Sequence, residues 1–320
     1  MRLLDTTSLD VVSFLADKIP PYAILSHTWG AEQDEPTLQQ LQELTAAGRR
    51  DPAAWTRHPI ALKKGYLKIR AACSLALSQS YRYIWIDTCC IDKTSSAELS
   101  EAINSMYRWY EGAGACYVFL EDVDVGPGIV NPDISRCRWF TRGWTLQELV
   151  APANVFFYDY KWSYIGSKRD RPDFREQLSR TTGIDSRVLT GALRVDELSV
   201  ACRMAWASSR TTTRPEDIAY CLMGIFQVNM PLLYGEGARA FIRLQEEILR
   251  SVDDHSLFAW KYPKGDPTSS QLSGLLASSP KYFRETSHVV PSLPDVSRNS
   301  APSSITNAGL HVQLHLQQQR

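Results

Sequence analysis

Four short apolar runs constrain this chain more than anything else in it: YAILS (22–26), YIWID (83–87), CYVFL (116–120) and NVFFYD (154–159). Each has the length of a buried strand and is too short for an ordinary helix. Between them the apolar residues return at helical spacing. Leu62, Tyr66, Ile69, Cys73 and Ala76 make one such face. Leu99, Ile103, Met106, Tyr107 and Tyr110 make another, opened by Ser95 and Glu98 in a capping-box pattern. WFTRGWTLQELV (139–150) reads as a further helix. Strand and helix alternate in this way up to residue 160. The pattern predicts an α/β fold: a mostly parallel sheet of about four or five strands, YAILS the first, with helices on its faces.

Open parallel sheets present their ligands in loops beyond the carboxyl ends of the strands. Ser26, His27, Thr28 and Trp29 follow the first strand there, and Asp87 closes the second. The same residues also suit plainer roles: Ser26 and His27 as a loop pair satisfying backbone donors, Asp87 as a helix cap. Tyr83, Ile84 and Trp85 belong to the core.

The remainder divides in two. Residues 161–260 are mostly helical, with periodic stretches at 196–208 and 236–250, and Thr213 with Glu216 forms a capping box ahead of DIAYCLMGIF. Gly235 and Gly237 in YGEG follow no strand, so they mark a turn before a helix rather than a phosphate loop. Residues 261–320 are rich in Ser and Pro, an irregular tail ending in GLHVQLHLQ, whose alternation is that of a strand. The loop before the third helix carries Gly126-Pro127-Gly128.

Composition narrows the classes of function. The 35 basic and 35 acidic residues cancel, so no overall field draws the chain to nucleic acid or an anionic membrane. No apolar run approaches a membrane span, and the first 18 residues carry Asp5, Asp10 and Asp17 where a signal peptide needs an uninterrupted apolar core. Seven cysteines, an odd number, lie in or beside apolar segments without a paired framework, which points to a reducing, cytoplasmic setting. A zinc site of Cys89, Cys90 and His27 is set aside. Adjacent cysteines on a strand face opposite ways, and no second CxxC or HxxxH exists. No metal and no cofactor is expected.

Several segments taken together resemble one family: YAILSHTWG, YIWIDTCCIDKTSSAELSEAINSMYRWY, RGWTLQELVAP and EDIAYCLMGIFQVNMPLLYGEGARAFIRLQEEI look like the heterokaryon incompatibility (HET) domain of filamentous fungi, in the right order over about residues 1 to 260. The resemblance implies a fungal source and a role in allorecognition, where fusion of unlike individuals kills the fused cell. In that family the domain is often the N-terminal effector of a larger receptor. These 320 residues show neither a GxxxxGK[ST] motif nor a repeat, so C-terminal modules or a receptor-type partner are expected elsewhere.

A more distant resemblance, to TIR domains, bears on mechanism. Their first strand is similar in register to YAILSHTWG. Their S-x-W-C-x-x-E-L helix, followed by a strand ending in FY, resembles RGWTLQEL (142–149) and NVFFYD, with Trp144, Glu148 and Leu149 matched and Thr145 in place of the cysteine. In the TIR domains that cleave NAD this glutamate is catalytic, so the resemblance implies Glu148 as the catalytic carboxylate and NAD as substrate. Breaking the nicotinamide–ribose bond develops oxocarbenium character, which a carboxylate stabilises, and the neutral leaving group needs no general acid. Ser26, His27, Trp29, Asp87, Trp144 and Arg142 are the candidate pocket residues. Glu148 also suits a solvated helix position, and Arg142 an ion pair. Hydrolase and cyclase would use the same residues. Alternatively the domain is a non-enzymatic module that self-associates and recruits death machinery, or a member with a structural role. A homo-oligomer fits either of the first two, since a TIR-like site completed across subunits stays off until clustering.

Overall fold

The computed structural model describes residues 1–126, 132–169, 171–263, 265–266, 274–290, 304–306 and 309–311. Pro127 and Gly128 of the expected loop, the Ser/Pro-rich runs at 267–273 and 291–303, and the expected terminal strand beyond His311 lie outside these. The chain forms two units, Met1–Ala192 and Leu193–Arg320.

The first unit is built on β1 (Arg2–Asp5), β2 (Val11–Ser13), β3 (Tyr22–His27), β4 (Tyr83–Trp85), β5 (Ala115–Phe119), β6 (Val155–Tyr158) and β7 (Tyr164–Ser167), in one sheet of order β2-β1-β4-β3-β5-β6-β7. The fold is α/β, but the sheet is mixed and has seven strands where four or five mostly parallel ones were expected. Only the inner block, β4-β3-β5-β6, is parallel. β1 runs antiparallel to both β2 and β4, and β7 antiparallel to β6. Both antiparallel flanks are hairpins, which need a tight turn and no crossover helix. In the first, Asp5 accepts from the backbone N–H of Thr7 and Ser8 at 2.9 and 3.0 Å. In the second, the fully buried Asp159 accepts from the backbone N–H of Lys161, Ser163 and Val125, while Trp162 takes a φ of 63°. YAILS is therefore the third strand of the chain, and it extends through Ser26 to His27, both expected in a loop.

Helices α1 (Leu38–Arg50), α2 (Ala54–Arg57), α3 (Lys64–Ser78), α4 (Asp87–Cys90), α5 (Ser96–Glu111), α6 (Thr145–Val150), α7 (Pro172–Thr182) and α8 (Ser186–Thr190) complete this unit. The single helix expected over 139–150 is broken into a 3-10 turn, Arg138–Thr141, and the short α6. Cys89 and Cys90 lie on α4, not on a strand, and all seven cysteines are free and buried. Every residue of β3 and β5 is buried, as central strands covered on both faces must be. Alternation along β3 assigns the two sides. Tyr22 donates to the Trp109 carbonyl of α5, and Trp85, in register with Ile24, packs on Trp109 and Tyr110. Tyr22, Ile24 and Ser26 thus face α5, and His27 faces the other way.

Lys168, buried after β7, donates from Nζ to the Leu149 carbonyl near the end of α6 at 3.0 Å. Burial pulls its pKa down from 10.5 to about 8. Above pH 8 the folded chain gives up a proton that the unfolded chain keeps to 10.5. Relative to Lys168→Met, wild type should therefore gain roughly 3 kcal/mol of stability between pH 8 and 10.5. Urea unfolding of both proteins at pH 7.5 and pH 10 checks this.

The second unit carries α9 (Val200–Ala205), α10 (Asp217–Tyr220), α11 (Met223–Phe226), α12 (Arg239–Ser251) and a hairpin of β8 (Ser304–Thr306) and β9 (Gly309–His311). α10 begins at Asp217, with Glu216 at its N-cap position rather than three residues inside the helix. Glu216 accepts from the backbone N–H of Gly235 and Gly237 at 2.8 and 3.0 Å, and both glycines take positive φ in the turn before α12. Among the described residues no helix is long and apolar enough to cross a membrane.

Candidate functional site

Within the parallel block the chain passes from β3 to β4 on one side, then returns to β5 on the other. The carboxyl ends of β3 and β5 therefore flank the point where strand order reverses, the usual ligand crevice of an open α/β sheet. Two side-chain clusters meet the tip of β3 there.

The first is buried on the α5 side. Ser26 Oγ donates to Glu148 Oε2 at 2.5 Å, and Trp139 Nε1 donates to Ser26 Oγ at 2.8 Å. Glu148 is 7% exposed and Ser26 wholly buried, so Glu148 is not the solvated helix residue its spacing also allowed. The direction of this chain is fixed by chemistry. An indole N–H only donates, so the serine oxygen accepts there, and its own O–H is left to donate to the carboxyl. Burial, and then the Glu148 charge, push the Tyr110 phenol and the Cys116 thiol well above their usual values, so both keep their protons beside it. Tyr110 Oη is 3.2 Å from the Leu25 carbonyl and within hydrogen-bonding reach of Glu148. The geometry sets the buried Glu148 carboxyl among the hydroxyl donors Ser26 and Tyr110.

The second cluster gathers on Asp87, at the first turn of α4. His27 Nε2 lies 3.0 Å from Asp87 Oδ1, and Trp29 Nε1 donates to Oδ2 at 2.8 Å. Burial acts to raise the Asp87 pKa, but His27, Lys93 and Trp29 outweigh it and hold it at about 2. An ionised carboxylate only accepts, so His27 Nε2 carries the proton, and its buried Nδ1 has no hydrogen-bond partner. Behind His27, Glu35 pairs with Lys68 of α3 at 2.6 Å and accepts from the Gly30 N–H at 3.0 Å, bracing the loop. Arg138 clamps the same loop, donating to Thr28 Oγ1 at 2.9 Å, the Trp29 carbonyl at 3.1 Å and Glu121 at 3.2 Å.

The Asp87 cluster has a pH signature. Its contribution is complete above the ordinary aspartate value of 3.8 and disappears as pH falls through 2. Wild type should exceed Asp87→Asn by up to roughly 2 kcal/mol near neutrality, with the gap closing between pH 4 and pH 2 in acid unfolding.

Of the residues expected at the site, Ser26 and Glu148 are thus joined directly, and His27, Trp29 and Asp87 are joined to one another. Ser26 and His27 are consecutive residues of β3, so the two clusters lie on opposite faces of one strand tip. Arg142 and Trp144 sit half-buried between the 3-10 turn and α6, and neither is free. Trp139, Tyr110, Lys93, Arg138, Glu35 and Lys68 were not expected. Lys93 and Tyr110 lie within the quoted segment YIWIDTCCIDKTSSAELSEAINSMYRWY and Trp139 within WFTRGWTLQELV, but nothing in their local spacing marked them as site residues. A cavity of about 370 Å³, lined by Asp133, Ser135, Gln177, Arg180 and Thr181, holds none of the expected site residues. Among the described residues no group of three His, Cys, Asp or Glu side chains is placed to hold a metal.

Comparison with known proteins agrees with the motifs. Residues 22–130 match the family described as heterokaryon incompatibility protein (HET), and residues 239–291 match a domain of unknown function, DUF8212. The chain is 43% identical over 259 residues to the vegetative incompatibility protein HET-E-1 of Podospora anserina. That match covers 78% of this chain and 18% of the relative, so the chain spans about a fifth of the length of the protein it resembles. No solved structure matches. Residues 22–130 form a heterokaryon incompatibility domain, and the chain is a HET domain protein.

Proposed function

We propose that this chain is a heterokaryon incompatibility effector that triggers cell death by cleaving NAD at its nicotinamide–ribose bond. The observation that carries the catalytic reading is the Trp139–Ser26–Glu148 chain, which holds a buried carboxyl group at the carboxyl end of β3. In the reaction the C1′–N bond breaks and its electron pair leaves with the pyridinium nitrogen as neutral nicotinamide. Positive charge develops on the ribose. Glu148 stabilises that charge and takes the proton of the attacking water, so ADP-ribose and a released proton complete the balance. The likeness of RGWTLQEL to the TIR helix supports the same residue, and the relative's name supports the biological setting. Clustering into a homo-oligomer, driven by modules outside this chain, would switch the site on.

The test follows nicotinamide release from NAD by the purified chain at high concentration, with wild type, Glu148→Ala and Glu148→Gln. Release by wild type alone supports the reading. Equal release by all three removes Glu148 from the mechanism. Absence of release under every clustering condition favours a non-enzymatic module that self-associates and recruits death machinery.

A further inference from the structure

Trp29 is 47% exposed, yet it is held on several sides. Asp87 takes its indole N–H, and Arg138 fixes its carbonyl and the hydroxyl of the preceding Thr28. A large ring immobilised in solvent adds little to a core. It makes a platform. The ring face carries the negative end of the aromatic quadrupole, and the Asp87 carboxylate at the indole edge deepens that potential. Lys93 shows where a cation settles: its Nζ lies 3.7 Å from the Trp29 centroid. Lys93 is exposed, in the short connection between α4 and α5, so it can swing off the ring at little cost.

We propose that Lys93 occupies the seat of a flat aromatic cation, and that Trp29 with Asp87 selects the pyridinium ring of oxidised nicotinamide dinucleotide over its uncharged dihydro form. This rests on the NAD reading above. A pyridinium covers the indole face with its whole ring while its charge lies beside Asp87, whereas an ammonium offers a single point of contact. The dihydro ring has no charge to place there. The selection also serves the chemistry, because only the pyridinium is a competent leaving group.

The test uses the full chain carrying Glu148→Gln, so that cleavage plays no part, and measures binding of 1-methylnicotinamide and of uncharged nicotinamide by calorimetry. The cation should bind more tightly than the neutral ring. Lys93→Met, which removes the resident cation, should tighten 1-methylnicotinamide about 2- to 5-fold and leave nicotinamide unchanged. Trp29→Leu and Asp87→Asn should each weaken the cation. Equal binding of the two probes, or a Lys93→Met variant that binds the cation no better, overturns the proposal. Lys93 is exposed, so that variant decides the matter even if Trp29→Leu fails to fold. The two readings separate cleanly. Absence of NAD cleavage by wild type with the binding series intact removes the catalytic reading alone, and NAD cleavage with a flat series removes the cation seat alone.

Discussion

Glu148→Gln should keep the fold and lose about a hundred- to a thousandfold of the rate of nicotinamide release. Glutamine fills the same volume and still accepts from Ser26, so the buried cluster survives and the melting temperature moves little. What disappears is the negative charge facing the ribose as it becomes cationic. Charge of that kind is stronger in the transition state than in the ground state, so the loss should fall on kcat with KM nearly unchanged. Glu148→Asp separates charge from position. It keeps the carboxylate but draws it back by one methylene, away from Ser26, and its rate should fall between wild type and glutamine. A glutamine variant as active as wild type would leave the Trp139–Ser26–Glu148 chain as a structural feature of the sheet.

How much of this was legible beforehand follows from what each segment reveals locally. β3 and β5 are buried on both faces, so they read as apolar runs, and the parallel centre of the sheet could be derived from them. β2 has three residues, and β1 only four, two of them apolar in an unremarkable order; β1 owes its strand character to pairing with β4, a partner some 80 residues away, and β2 owes its own to pairing with β1. β7 is short and carries a glycine, Gly166, over which the Phe174 ring closes, so it too reads as a loop. The strand end at Ser26 reads as a loop for a related reason. A serine and a histidine look like a turn, but here each polar side chain finds a buried partner, Glu148 on one face and Asp87 on the other, and the backbone remains extended. The link from Trp139 to Ser26 spans 113 residues, and no local spacing contains it. Glu148 entered through a family likeness, because its own spacing equally suits a solvated helix. Burial at the strand tip is what separates those two readings.

Ser26→Ala tests the chain from its middle, where the effect on stability is largest. Removing the hydroxyl leaves the Trp139 N–H without its acceptor and takes one donor from a buried carboxylate. Each such loss costs about 1–3 kcal/mol, so the fold should lose roughly 2–4 kcal/mol in denaturant unfolding. A stability loss alone would fit any buried serine. The pH profile is the discriminating measurement. A hydrogen bond to the charged form of an acid favours that form, so its loss should move the acid limb of kcat/KM to higher pH. Activity at neutral pH should fall less than in Glu148→Gln, because the charge remains. Trp139→Phe removes the other end of the chain and should behave differently. Ser26 still donates its O–H to Glu148, so the acid limb stays near its wild-type position while the lost indole contacts lower stability. An acid limb that stays fixed in Ser26→Ala would mean that Ser26 holds the strand and the helix together without setting the charge on Glu148.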